Sequence, residues 1–277
     1  MTCRVIGRQN HRADGQRGRA SGTFGGTRPD WQVSRLRWGS MNVMWAAVGA
    51  VLGLLAGAAL RATVFRLSVP PGDPERTACP RCGGPMRRRL AVRCEQCGRS
   101  LGTPLVLELS TAVVLALLLG RFAGQSDVLA FGFFGVLGVA LAVIDIATQR
   151  LPDPLTLPAY PIMIILLAGA ALFGHDFAAL LRAMLGGLAL AGAFLLLALV
   201  RPSQLGGGDI KLAGIAGLAL GWLGWPALIA GAALGFVLSA LVSLALLAAR
   251  RVTLRSGISF GPFLVGGALC AMLASTH

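Results

Sequence analysis

Charged residues are scarce in this chain: they make up 13% of 277 residues, where a soluble domain carries roughly 25%. The shortage is sharpest for acids, 11 in all, and lysine occurs once, at Lys211. Histidine occurs three times, in a polar N-terminal stretch (His11), a loop between apolar runs (His175) and the last position (His277), none of them placed for chemistry. So little polar surface cannot coat a water-soluble globule. With 55% hydrophobic residues and a mean hydropathy of +0.73, intrinsic disorder is excluded for most of the length. What the chain does have is a series of apolar runs, several near the ~20 residues that cross a hydrocarbon layer of ~30 Å. The sequence reads as an all-α, polytopic integral membrane protein.

The runs lie at about 42–60, 105–120, 128–147, 155–174, 177–200, 210–223, 226–249 and 259–275, eight candidate helices in all. Basic residues then orient them. The loops after the first, third, fifth and seventh runs, with the adjoining helix ends, hold 15 Arg and Lys; the opposite side holds two, Arg121 and Arg182. An excess of Lys and Arg marks the cytoplasmic side of the membrane and leaves both termini outside. Eight arginines in residues 1–40 conflict with that placement, because this Gly-rich, disordered tail would have to cross the bilayer. Translation starting at Met41 or Met44 resolves the conflict. The formal charge of +14 does not point to nucleic acid, since the basic residues outside the tail cluster at 61–99 and near the ends of apolar runs, where they meet anionic lipid. The organisation expected is a tail (1–40), a first span plus cytoplasmic loop (41–104), and a seven-helix membrane domain (105–277).

Four of the six cysteines fall in that loop: Cys79 and Cys82, then 11 residues, then Cys94 and Cys97. Each CxxC places two thiolates on one tight turn, and two such turns folded together make a tetrahedral zinc site. Gly83, Gly84 and Gly98 follow the pairs, where such a turn favours positive φ. Disulfides are the competing reading, but the cytoplasm keeps thiols reduced. A zinc-ribbon-like loop with a structural Zn is expected, and a site closed by four cysteines has no open position for catalysis.

Acids inside or beside membrane spans need a reason to be there. Asp145 lies near the end of the third run and Asp209 at the start of the sixth, 64 positions apart. Alternating spans deliver both to the same membrane face. Two carboxylates brought together in a low dielectric cannot both ionise easily, so one keeps a proton. The pair can then take a proton from water and hydrogen-bond a scissile carbonyl, which is the logic of aspartic proteolysis. Gly206, Gly207 and Gly208 let the backbone approach a substrate strand and place Asp209 at a helix start, and Lys211 is close enough in sequence to steady a carboxylate. Simpler roles stand beside these. Asp145 can pair with Arg150, Asp209 and Asp153 can cap helices, and Glu108 can pair with a loop arginine.

These residues resemble the type IV prepilin peptidases, intramembrane aspartic proteases with a GxGD motif. The resemblance rests on Asp145 with Pro152-Asp153, on Gly206-Gly207-Gly208-Asp209-Ile210-Lys211, on Gly57-Ala58-Ala59-Leu60 leading to Val64-Phe65-Arg66-Leu67, and on the double CxxC. Pro104 to Leu109, including Glu108, and Ile258 to Phe263 add to it, so that about residues 45–275 are covered. It implies that Asp145 and Asp209 are catalytic and that the substrates are prepilin or pseudopilin precursors. Their short basic leader would be cut at the cytoplasmic face, typically after a glycine, while their apolar helix sits in the lipid bilayer. Many members also methylate the new N-terminus with S-adenosylmethionine, an activity associated with the cysteine-loop part. This chain departs there. Its 11-residue spacer lacks the Asn-Ile-Pro and Ser-Trp signature, and Ala59-Leu60-Arg61 stands where Phe-Leu-Asn is usual. Proteolysis is untouched by those departures; methylation is left open.

Two other classes compete. A proton-coupled transporter would also hold intramembrane carboxylates, but its internal repeats and mid-membrane helix breaks are not seen. A zinc-ribbon membrane scaffold would account for the cysteines and leave the two aspartates as coincidence. Oligomeric state is not legible.

Overall fold

A computed structural model describes residues 39–69, 75–85, 93–98, 105–200, 206–250 and 259–275, with side chains from 43 onward. The expected disordered tail and start codon fall outside these residues except where the first helix begins, as does the arginine-rich centre of the spacer. The described residues form eight helices and no strands: α1 (Gly39–Leu67), α2 (Val106–Phe122), α3 (Val128–Thr148), α4 (Asp153–Gly174), α5 (Phe177–Val200), α6 (Gly207–Leu223), α7 (Trp225–Ala248) and α8 (Gly261–Ala274). Five of them (α1, α3, α4, α5 and α7) are long and apolar enough to cross a membrane. The others have 17, 17 and 14 residues. This is the all-α membrane protein that the apolar runs predict.

Successive helices run in alternate directions, and their seams are built from small residues. Along α1, Gly49, Gly53 and Gly57 face α2 so closely that a Cβ on any of them would lie 2.4–2.6 Å from Leu115, Thr111 or Glu108. Thr111 uses this proximity, its hydroxyl donating to the Gly53 carbonyl at 2.7 Å. Between α5 and α6 the same device recurs, Gly186 against Gly217 and Gly221. Where apolar side chains gain little by leaving lipid, such close backbone approach is what holds helices together.

The sequence places the end of the first span at Arg61, yet α1 runs on to Leu67. Arg61 is buried, 8% exposed, and its guanidinium forms an ion pair with Glu108 of α2, itself 6% exposed. A charge ends a span when it must reach water; here the partner is on the next helix, so the helix continues. The pairing expected of Glu108 is present, with an arginine of α1 in place of a loop arginine.

The interior is occupied by α3 and α6. Phe131, Phe134, Leu141 and Ile144 of α3 are fully buried, as are Ala213, Ile215, Ala216, Ala219 and Leu220 of α6. The peripheral helices keep large apolar side chains on the outside, Leu55, Phe173, Leu188, Ile229 and Leu244 among them. That arrangement suits lipid and would be untenable in water.

Candidate active site

The end of the bundle where α3 finishes and α4, α6 and α8 begin holds the two expected aspartates. Asp145 sits on the last turn of α3, 4% exposed. It does not turn to Arg150. Its Oδ2 accepts the hydroxyl of Ser259 and, at 3.0 Å, the backbone N–H of Gly261, the first residue of α8. A Cβ at position 261 would lie 2.5 Å from that same oxygen, so the carboxylate occupies space that only glycine leaves. An anion at a helix N-terminus is favoured by the unpaired N–H groups and the helix dipole.

Asp209 lies in the first turn of α6 and is half-buried. Its Oδ2 accepts the Gly206 N–H at 3.3 Å, a long bond that closes the helix start. Of the three preceding glycines, Gly208 meets the tightest constraint: a Cβ there would be 2.7 Å from the Cβ of Leu151, while position 207 faces open space. Leu151 follows α3 by three residues, so this contact draws the start of α6 against the end of α3. Asp145, in the last turn of α3, and Asp209, in the first turn of α6, therefore lie on adjoining helix termini.

Lys211 does not contact Asp209. Its Nζ lies 2.5 Å from Oδ1 of Asp153, and its carbonyl accepts the Tyr160 hydroxyl at 2.7 Å. It therefore ties α6 to the start of α4. Asp153 is the first residue of α4, after the N-cap Pro152, so its acid stands in the first turn of the helix and not at the cap position that its place in the sequence suggests. Ser259 and Gly261 carry no role in the sequence reading. The nearest signal was the Ser259-Phe260-Gly261-Pro262 stretch, whose contact with Asp145 spans 114 and 116 positions.

The second cluster is the four-cysteine loop. The two CxxC turns have one construction, with Gly83 N–H bonded to the Cys79 carbonyl and Gly98 N–H to that of Cys94, each at 2.9 Å. Both glycines have positive φ, 71° and 66°. The four Sγ atoms lie within 4.8 Å of one another. Cys79 and Cys97 are 3.7 Å apart, Cys82 and Cys94 3.6 Å. A tetrahedron with metal–sulfur bonds of ~2.3 Å has edges of about 3.8 Å, so the set fits a metal ion. The backbone N–H groups of Arg81 and Cys82 lower the Cys79 thiol to about 6, and those of Cys97 and Gln96 lower Cys94. The N–H of Gly84 favours the Cys82 thiolate too, but lost hydration and the neighbouring thiols outweigh it and push Cys82 to about 11. Four thiolates this close repel one another unless a cation sits among them.

Comparison with known proteins agrees with this architecture. Residues 131–275, which hold both aspartates and Ser259, match the type IV leader peptidase family. Three curated relatives are each named prepilin leader peptidase/N-methyltransferase. That of Burkholderia pseudomallei strain 1026b is 31% identical, with 84% of this chain and 86% of the relative aligned. That of Dickeya chrysanthemi is 30% identical over 83% and 93%. That of Aeromonas salmonicida strain A449 is 30% identical over 76% and 73%. No solved structure matches. The chain belongs to the type IV leader peptidase family, as the resemblance of its motifs implied, and it is a peptidase of that type.

Proposed function

We propose that this protein is an intramembrane aspartic endopeptidase that removes the short basic leader from type IV prepilin-like precursors, with Asp145 and Asp209 as the catalytic pair. The observation that carries the reading is their convergence. Two carboxylates 64 positions apart, in a chain with 11 acids in all, end on adjoining helix termini, one in the last turn of α3 and the other in the first turn of α6. In such a pair one carboxylate takes a proton from water while the other donates to the scissile carbonyl, and the two exchange roles as the amine leaves. The transporter alternative is disfavoured by the position of the pair, which lies at helix ends and not at mid-helix.

The active site is assigned to the cytoplasmic face of a bacterial inner membrane. The supporting argument is charge: the loops and helix ends at the aspartates' end of the bundle carry 15 basic residues, against two at the other end. Zinc is proposed for Cys79, Cys82, Cys94 and Cys97, which fill a tetrahedral shell and leave it a structural role. The relatives' names pair leader cleavage with N-methylation. In this chain the methyl-transfer reading, with S-adenosylmethionine as donor, rests on those names, and Arg61 with the short spacer argues against it.

The deciding experiment co-expresses a prepilin precursor with wild type or with the Asp209→Asn variant and measures the mass of the product's N-terminal peptide. Leader loss in wild type alone supports the peptidase, and an added 14 Da, the ~one-methylene increment of methylation, reports methyl transfer. Processing by the variant equal to wild type would remove Asp209 from the mechanism.

A further inference from the structure

The two aspartates are held very differently. Asp145 is anchored twice at the start of α8, by the hydroxyl of Ser259, two residues ahead of the helix, and by the Gly261 N–H, and both bonds fall on Oδ2. Asp209 receives one long bond, 3.3 Å, from Gly206. The anchor itself is clamped: Phe260, between the two donors, packs its ring 5.0 Å from that of Phe236 and 5.6 Å from that of Phe194. A backbone N–H can only donate, so Oδ2 of Asp145 is an acceptor, and a helix N-terminus favours the anionic form. The Oδ1 atom is left free of the α8 anchor.

We propose that Ser259, with the Gly261 N–H, holds Asp145 as the carboxylate that takes the proton from water, which leaves Asp209 to supply the proton. The proposal rests on the reading of Asp145 and Asp209 as the catalytic pair. In the first step Oδ1 of Asp145 accepts a water proton, the water oxygen bonds to the scissile carbonyl carbon, and Asp209 passes its proton to the carbonyl oxygen. In the second step the carbon–nitrogen bond breaks, Asp145 returns its proton to the leaving nitrogen, and Asp209 regains one from the gem-diol. Water is the co-reactant, and both carboxyl groups end as they began. Ser259 never meets the reacting atoms; it is a positioning residue.

Among the described residues, three ion pairs hold other charges of the helices around α3. Arg61 pairs with Glu108 across α1 and α2, Lys211 of α6 with Asp153 of α4, and Arg66 of α1 with Glu75. Arg150 follows α3, and α8 has no acid in its first turn. Among the described residues, the groups that donate to the Asp145 carboxylate are the Ser259 hydroxyl and the Gly261 N–H.

The test uses the full chain in lipid nanodiscs with a purified prepilin precursor, comparing wild type, Ser259→Ala, Ser259→Thr, Asp145→Asn and Asp209→Asn across pH. Loss of a hydrogen bond to a charged group is worth about one pH unit. Ser259→Ala should therefore lower kcat about tenfold with KM little changed, and move the acid limb of kcat/KM to higher pH by about one unit. The Thr variant, which keeps the hydroxyl, should return both toward wild type. An Ala variant with wild-type kcat and an unmoved acid limb overturns the inference, as does a Thr variant no better than Ala. If Ser259→Ala does not fold, the Thr variant still decides: its activity must survive with an unmoved limb. Full activity in Asp145→Asn or Asp209→Asn would instead defeat the catalytic pair itself, a failure readable separately from that of Ser259.

Discussion

The guanidinium of Arg61 on α1 and the carboxylate of Glu108 on α2 meet as an ion pair buried within the seam between the two helices. Neither is fully satisfied, since Nε of Arg61 and Oε2 of Glu108 have no hydrogen-bond partner. Removing one member leaves a lone buried charge, which typically costs about 3–5 kcal/mol, whereas replacing both by apolar residues of similar size is often neutral. Arg61→Met and Glu108→Gln should each lower the unfolding temperature markedly, and Arg61→Met with Glu108→Leu should recover most of the loss. Thermal unfolding of the purified protein followed by circular dichroism checks this. A double variant as unstable as the worse single one would show that the pair is more than a neutral plug.

The glycine stripe on α1 makes a second prediction by contrast. A Cβ at Gly53 would lie 2.4–2.6 Å from backbone atoms of Thr111 and Ala112, which cannot move aside as a side-chain tip can. Gly53→Ala should therefore part the helices and destabilise the protein by ~1–3 kcal/mol, as overpacking does. At Gly192 on α5 nothing lies within 4 Å, and alanine there should be neutral or stabilising by up to ~1 kcal/mol through helix propensity. Unfolding midpoints of the two variants, measured side by side in one detergent, give the comparison.

How much of this was readable beforehand divides by range. The helices follow from apolar runs, a local property, and most of their ends fall within a few residues of those expected. The exception, α1, overran Arg61 because its partner Glu108 is 47 positions away and no local rule sees it. Convergence of Asp145 and Asp209 on one end of the bundle followed from counting spans, which needs only parity. The partner of each carboxylate did not. Ser259, Gly261 and the Lys211–Asp153 pair depend on how α4, α6 and α8 lean together, and that is set by small residues such as Gly208 against Leu151. The cysteine turns were legible because their spacing fixes both the ligands and the glycines that close them.

Metal content offers the third prediction. If the four thiols hold zinc, the purified wild type should contain about one zinc per chain, and Cys79→Ser with Cys82→Ser should contain none. Structural zinc binding is worth ~10–16 kcal/mol in small domains, and that energy is folding energy. The loop between α1 and α2 should then become sensitive to trypsin, which has arginines to attack there, while the helices stay protected. Inductively coupled plasma mass spectrometry and a timed digest supply the two measurements. A wild type free of zinc, copurified without chelators, would end the assignment.

The last prediction concerns the acids themselves. Asp145→Asn keeps the shape of the side chain and can still accept from Ser259 and Gly261 through its amide oxygen, so the start of α8 should stay in place. It loses the capacity to take a proton. Asp209→Asn likewise keeps an acceptor for Gly206 N–H at the start of α6 and loses an exchangeable acid. General acid–base groups contribute about 10²–10⁴-fold to rate, so each variant should lose at least a hundredfold in leader cleavage with membrane insertion and yield unchanged. The double variant should be little worse than either single one, because the two groups act in one step and their effects are not additive. Asp153→Asn separates chemistry from packing: it weakens the bond to Lys211 that ties α4 to α6, and should cost stability while most of the cleavage activity remains. Initial rates on one prepilin precursor, normalised to folded protein, distinguish these outcomes, and an Asp153 variant as inactive as Asp145→Asn would place Asp153 inside the catalytic site.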